Sequence, residues 1–263
     1  VNTAANFDLK EEIRDYWSGR AAEFDAAPGH RINDADMAAW QRLIGTGLGA
    51  VDGRLVLDLA CGTGEVSRAL LGLGASVTGV DFSEAMLARA RAKLAGRPWQ
   101  GRLTDAETLA GLADAMFDGA VTRHLVWTLT DPHAAFAAWL RVLKPGARLL
   151  VVDGDWVREG ARAKLLRRIA AALGGVAPSP ADGALHRQIL ARVPYRDGLN
   201  QDRLIEDLLR TGFTDPRPLG LSGVYLRGLS GASLAERLRL LAPTRFAVSV
   251  SKPLKRRAAS FDK

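Results

Sequence analysis

The 263-residue sequence predicts an α/β fold, a mostly parallel sheet with helices on both faces. Three observations carry this. First, residues 55–59 form a Val/Leu run suited to a strand buried on both faces, interrupted only by Asp58. Gly62 and Gly64 then permit a sharp turn, and Val66, Ala69 and Leu70 mark one face of a helix over 65–71. Second, a short β-rich run, 76–80, ends in Asp81, about twenty residues past the glycine turn. Third, the alternation repeats, with a strand at 117–122, a helix from Pro132 and a strand at 148–152.

Taken in order, residues 7–27 read as a helical segment with Ile13, Trp17, Ala21 and Phe24 on one apolar face, broken by Pro28-Gly29-His30. A second helix spans 34–44 and a loop 45–53. The helix after Asp81-Phe82-Ser83 carries Met86, Leu87, Ala90 and Leu94. Residues 99–103 form a weaker strand that runs into Thr104-Asp105-Ala106-Glu107, where Asp105 is placed to cap a short helix through Leu112. The strand at 117–122 ends in Arg123-His124-Leu125-Val126-Trp127. Asp131 caps the next helix, with Pro132 at its first position and Lys144-Pro145-Gly146 at its end. A helix over 161–173 is expected to turn Leu165, Leu166, Ile169 and Leu173 inward and Arg162, Arg167 and Arg168 outward. A loop at 174–183, a short helix at 186–193 and a helix at 202–211 ended by Gly212 follow. Residues 224–229 and 245–251 read as a final antiparallel pair with a helix at 233–241 between them, and Lys255-Arg256-Arg257 as a solvated basic tail.

Composition narrows the function classes. No run of about 18 apolar residues occurs, so no membrane span is expected. Residues 1–12 are polar and lack the apolar centre of a signal peptide. Cys61 is the only cysteine, which excludes an internal disulfide and suits a cytoplasmic setting. It reads as a small packing residue. The net charge of +7 is spread over many arginine-bearing helices, so nucleic acid is not the expected partner. A monomer or homodimer is expected.

Gly62-x-Gly64-x-x-Ser67 loosely fits a dinucleotide fingerprint, which seats a pyrophosphate on a helix N-terminus. Asp58 ends the strand beside that place and disfavours a phosphate. A cofactor with no phosphate and a positive centre suits it better, and S-adenosyl-L-methionine is one. Asp58-Leu59-Ala60-Cys61-Gly62-Thr63-Gly64 resembles motif I of the class I S-adenosylmethionine-dependent methyltransferases, written (D/E)-x-x-x-G-x-G. Phe117-Asp118-Gly119-Ala120-Val121 resembles their FD-x-V element, and residues 141–153 their R-x-L-K-P-G-G-x-L turn, with Ala147 in place of the second glycine. The sequence is similar to the small-molecule, UbiE/methyltransferase-11-like type over about residues 50–153, and loosely over 200–252.

That resemblance implies a Rossmann-like, seven-stranded sheet with an antiparallel final strand and a helical cap. It divides the chain into a helical cap (1–45), a cofactor-binding core (46–154), a helical insertion covering the substrate pocket (155–200) and a C-terminal helix with the final strand pair (201–263). Ala60, Gly62, Thr63 and Gly64 would line the cofactor beside Asp58. Asp81 would accept the ribose hydroxyls, a role its spacing also supports. Phe82 and Met86 would flank the adenine; Met86 equally suits core packing. The Asp105 carboxylate and the Ala106 N–H would contact the adenine, with Glu107 next in line and Arg123 at the strand end. Tyr16 and Trp17 would fold over the cofactor or simply pack.

Methyl transfer draws much of its rate from positioning, and a base is needed only when the acceptor holds its proton. His124 is the candidate base, with pocket lining and a structural role as alternatives. Trp127, Asp153 and Trp156 are candidate acceptor contacts, since an acid and an indole suit a cationic amine. His30, His133 and His186 lack metal-ligand spacing. The reading is an enzyme methylating O, N or S of a small metabolite and releasing S-adenosyl-L-homocysteine. A methyltransferase acting on RNA or protein, and a non-catalytic cofactor-binding protein, are the alternatives.

Overall fold

β1 (Leu55–Leu59) is central because its side chains are apolar on both sides. Leu57 and Leu59 are buried on one face of the sheet and Val56 on the other, the period-two alternation of a strand. The computed structural model describes residues 3–26, 29–158, 160–174, 180–221, 223–225 and 233–254. β2 (Ser76–Asp81), β3 (Trp99–Leu103), β4 (Phe117–Arg123), β5 (Leu143–Asp155), β6 (Thr214–Leu219) and β7 (Thr244–Ser251) complete a seven-stranded sheet. The order is β3-β2-β1-β4-β5-β7-β6, parallel through β5, with β7 antiparallel to both neighbours. The sheet is therefore the Rossmann-like one expected. Its order reverses between β1 and β4, and at that switch point the carboxyl ends of the strands leave a crevice.

Two cores cover the faces. On one, α5 (Pro132–Val142) and α8 (Gln201–Thr211) bring Phe136, Trp139, Leu204 and Leu208 onto Leu57, Leu149 and Val151. On the other, α2 (Asp34–Leu48) and α3 (Glu65–Leu71) bring Trp40, Leu43, Ile44 and Leu70 onto Val56, Leu150 and Val152. Full burial of each such side chain contributes about 1.5–3 kcal/mol. The helix starts follow local chemistry. Asp131 accepts from the Ala134 N–H at 3.0 Å ahead of Pro132, and Asn200 accepts from the Arg203 N–H at 2.9 Å.

Several expectations are corrected. α1 (Thr3–Ser18) stops before residue 27, and a 3₁₀ turn, Phe24–Ala26, follows. Pro28 lies outside the described residues. After Asp105 there are turns rather than a helix, because the Asp105 carboxylate bonds the Glu107 N–H instead of opening a longer ladder. β5 begins at Leu143, well ahead of residue 148. α6 (Ala161–Ala172) buries Ala163 and Ala170, while Leu165, Ile169 and Leu173 stay exposed. Leu166 is half-buried beside these alanines, and Arg162, Arg167 and Arg168 are exposed as expected. α7 (Pro180–Leu190) starts six residues before the helix expected at 186. The edge strand before β7 is 214–219, not 224–229: Val224 and Tyr225 lie in a turn, and residues 226–229 lie outside the described residues. Pro216 and Pro218 hide this strand in the sequence, yet an edge strand accommodates them. α9 (Leu234–Leu241) precedes β7, and the basic stretch 255–257 lies outside the described residues.

Candidate active site

The glycine turn joins β1 to α3 with three residues in left-handed backbone: Ala60 at φ +53°, Gly62 at +53° and Gly64 at +85°. A side chain at Gly64 would lie 2.8 Å from Leu94 Cδ1. At Gly62 the nearest atom would be Phe24 Cε1 at 3.8 Å, so the turn is open on the side that faces the crevice. Cys61 is buried beneath the turn, and burial raises its thiol well above the ordinary value. Its sulfur packs over Gly79.

Two buried acids organise this turn. Asp58 accepts a 2.6 Å bond from Ser67 Oγ, and burial pushes it up to about 7 against that bond, with the Asp81 charge adding to the rise. Asp81 accepts the Gly62 N–H at 2.8 Å and the Ser83 N–H at 2.9 Å, and burial pushes it up to about 6. Asp81 thus fastens the end of β2 to the turn, its buried carboxylate holding a backbone N–H on each oxygen. Met86 is buried, its N–H on Ser83 Oγ, and Phe82 packs with Ile13 and Tyr16 of α1. Thr63 donates to Asp25 at 2.5 Å, and Lys93 joins Asp25 to Glu65 at 2.7 and 2.5 Å.

Asp105 and Glu107 lie where β3 leads out. Lys10 of α1 bonds both, at 2.7 and 2.8 Å. Glu107 also receives the Thr130 N–H at 2.5 Å and Thr130 Oγ1 at 2.9 Å, so it holds the loop before α5. The Ala106 carbonyl accepts from Trp139 Nε1 at 2.7 Å. Tyr16 and Trp17 meet edge to face at 5.0 Å, and Trp17 reaches Phe24 at 6.0 Å and Trp127 at 6.3 Å. His186 of α7 closes the ring cluster, 5.1 Å from Trp127 and 3.4 Å from Tyr16 Oη. These rings join α1 to α7.

At the end of β4, Arg123 donates to the carbonyls of Gly29 and His30 and lies 4.9 Å from the Trp40 ring centre. His124 has φ +58°, which turns its imidazole out of the strand line. Its Nε2 lies 3.1 Å from Tyr225 Oη, and its ring meets Trp156 edge to face at 5.0 Å. Burial, then the charges of Arg123 and Arg245, hold this imidazole well below 6.5, so it is neutral at physiological pH. Trp127 donates from Nε1 to the His124 carbonyl at 3.1 Å. Asp153, pushed up to about 6 by burial, accepts from the Val126 N–H, the Gly154 N–H and Trp156 Nε1 at 2.8, 2.8 and 3.0 Å. It therefore positions Trp156 and the post-β4 loop from below. Among the described residues no three His, Cys, Asp or Glu side chains are grouped to hold a metal.

The structure joins the turn to Asp81 by a hydrogen bond, sets Phe24, Trp17 and Tyr16 beside it as a chain of rings, ties Asp105 to α1 through Lys10, and sets His124 against Trp156 and Tyr225. The sequence reading missed Lys10, Phe24, His30, Tyr225 and Arg245. Phe24 was visible only as a face residue, and Tyr225 only as part of a supposed strand.

Residues 57–151 match the family described as "Methyltransferase domain". The chain is 31% identical over 166 residues to "Ubiquinone/menaquinone biosynthesis C-methyltransferase UbiE" of Geobacter sulfurreducens, covering 60% of this chain and 62% of that protein. It is 32% identical over 145 residues to "Ubiquinone biosynthesis O-methyltransferase" of Thiobacillus denitrificans, covering 54% and 60%. It thus spans less than two thirds of the length of these curated relatives. A solved S-adenosylmethionine-dependent methyltransferase from Mesorhizobium loti shares the fold with a TM-score of 0.56 at 22% identity, covering 83% of this chain and 98% of that one. The sheet and its glycine turn thus have the fold of solved S-adenosylmethionine-dependent methyltransferases, and residues 57–151 are similar to a methyltransferase-domain family. The donor set fits that cofactor: an open glycine turn, acids at the ends of β2 and β3, and rings over the crevice.

Among the described residues no helix is long and apolar enough to cross a membrane.

Proposed function

We propose that the chain transfers a methyl group from S-adenosyl-L-methionine to a small molecule held beside His124. One observation carries the reading: the out-turned, neutral imidazole of His124 stands at the switch-point end of β4, walled by Tyr225 and Trp156. The cofactor supplies an activated methyl carbon. The chain's residues orient and desolvate. Asp81 and Asp105 accept hydroxyl and amino protons of the nucleoside, and Tyr16 and Trp17 exclude water. His124 Nε2, paired with Tyr225 Oη, is placed to take an acceptor proton or to orient the acceptor. The 155–200 insertion, through α7, covers the pocket.

Relatives named for carbon and for oxygen methylation widen the acceptor atom beyond O, N or S to include carbon. Incubation of the protein with methyl-labelled S-adenosyl-L-methionine and a fractionated extract of the source cells tests the reading. Label in small molecules is expected. Label confined to acid-precipitable polymer would overturn the small-molecule assignment, and no transfer in any fraction, with cofactor bound, would favour a non-catalytic role.

A further inference from the structure

Two arginines converge on the acceptor wall with no acid to answer them. The Arg245 guanidinium carbon lies 4.5 Å from the Tyr225 ring centre and 5.5 Å from that of Trp156. That of Arg123 lies 5.9 Å from the same Tyr225 ring. Among the described residues neither arginine makes an ion pair, and the Nε atom of each is buried without a hydrogen-bond partner. Their terminal nitrogens reach only backbone carbonyls, of Gly29 and His30 for Arg123 and of Leu240 for Arg245. Asp58, which feels Arg123, is held by Ser67, and Asp25, which feels His30, is held by Lys93 and Thr63. His124 and His30 add further nitrogen donors and no negative charge; both feel the two arginines, which help to hold their imidazoles neutral.

Holding two half-buried guanidinium groups beside one another is unfavourable unless an anion answers them, and a planar guanidinium matches carboxylate or phosphate oxygens two at a time. We propose that Arg123 and Arg245 form a subsite for a carboxylate or phosphate group of the methyl acceptor, whose reacting end then lies against His124 and Tyr225. This rests on the methyltransferase reading above and adds a substrate class to it, an anionic small molecule. It also replaces the cationic amine suggested by Asp153 and Trp156, since Asp153 is spent on the protein's own donors.

The test is calorimetry on the whole chain saturated with S-adenosyl-L-homocysteine, titrated with inorganic phosphate and with benzoate as probes. Binding of at least one probe in the millimolar range is expected. Arg245→Gln should weaken it tenfold or more and Arg245→Lys by less, while the affinity for S-adenosyl-L-homocysteine stays within twofold in both. The lysine variant keeps the charge, so it separates a lost anion site from a misfolded chain. No probe binding to the parent protein, or binding unchanged by Arg245→Gln, overturns the subsite and leaves the methyltransferase reading standing. A parallel loss of S-adenosyl-L-homocysteine affinity would assign the arginines to the cofactor's own methionine carboxylate and overturn the acceptor assignment. Failure of S-adenosyl-L-homocysteine to bind the parent protein would overturn the methyltransferase reading itself, and the subsite with it.

Discussion

His124 owes its placement to one backbone angle. At φ +58° it leaves the β4 ladder and faces Tyr225, a conformation that most side chains resist and that asparagine tolerates. His124→Asn keeps that angle and removes the imidazole. Turnover should fall at least tenfold with the affinity for S-adenosyl-L-homocysteine unchanged; full activity would dismiss the histidine as base or orienter. Asp81 acts on both sides of the turn, tying the Gly62 and Ser83 N–H groups. Asp81→Ala should weaken S-adenosyl-L-homocysteine binding by tenfold or more, about 1.4 kcal/mol, and unchanged affinity in calorimetry would remove it from the site. Gly64 is constrained differently, by φ +85° and by Leu94. Gly64→Ala should destabilise the protein by about 1–3 kcal/mol, from left-handed strain plus overpacking, read by urea denaturation.

At the scale of elements, α1 is held by few but specific ties. Lys10 grips Asp105 and Glu107, Ser18 Oγ meets Ser83 Oγ at 2.8 Å, and Ile13 and Tyr16 pack with Ile189 and Val193. The same helix presents Tyr16 and Trp17 to the crevice. Lys10→Met removes the ion pairs and leaves the apolar contacts. Amide exchange in α1 should then rise about tenfold or more while the strands keep their protection. Uniform exchange in parent and variant would show that Lys10 does not fasten the helix. The C-terminal pair shows an opposite logic. β6 is polar and carries two prolines, but β7 beside it is buried from Phe246 to Val250, so packing of β7 and not β6's own propensity sets that edge.

For the molecule as a whole, the central cost is charge buried under the sheet's carboxyl edge. Asp58 is pushed up to about 7, well above the ordinary carboxylate value near 3.9. A raised folded-state value means that its favourable contribution is full below about pH 3.9 and is lost as pH rises to about 7. The stability of the parent protein relative to Asp58→Asn should therefore fall with rising pH by about 1.4 kcal/mol per unit up to about pH 7, then level off. Urea denaturation of both proteins between pH 5 and 8 measures it. A difference that stays constant from pH 5 to 7 would mean that Asp58 is not held in its protonated form.

The glycine-turn half of the proposed site was legible because its chemistry is local. The strand, the acid, the glycines and the acid twenty residues on are consecutive in the chain, and each is recognisable from its own neighbours. Asp58, Gly62, Gly64 and Asp81 therefore come together in the structure as their spacing predicts, and so do the parallel strands up to residue 155. The acceptor wall was not legible in that way. His124, Tyr225, Trp156 and Arg245 lie on four separate segments, and no short-range pattern joins them. Edge-strand prolines disguised β6, and the apolar stripe of α6 pointed the wrong way because its alanines, with Leu166, are covered while Leu165, Ile169 and Leu173 are exposed. By itself the sequence determined the order of the parallel strands and the glycine turn after β1, since backbone geometry and burial act between near neighbours. Only the tertiary structure decided what surrounds His124, because sheet order and the antiparallel return of β7 bring distant side chains to one edge.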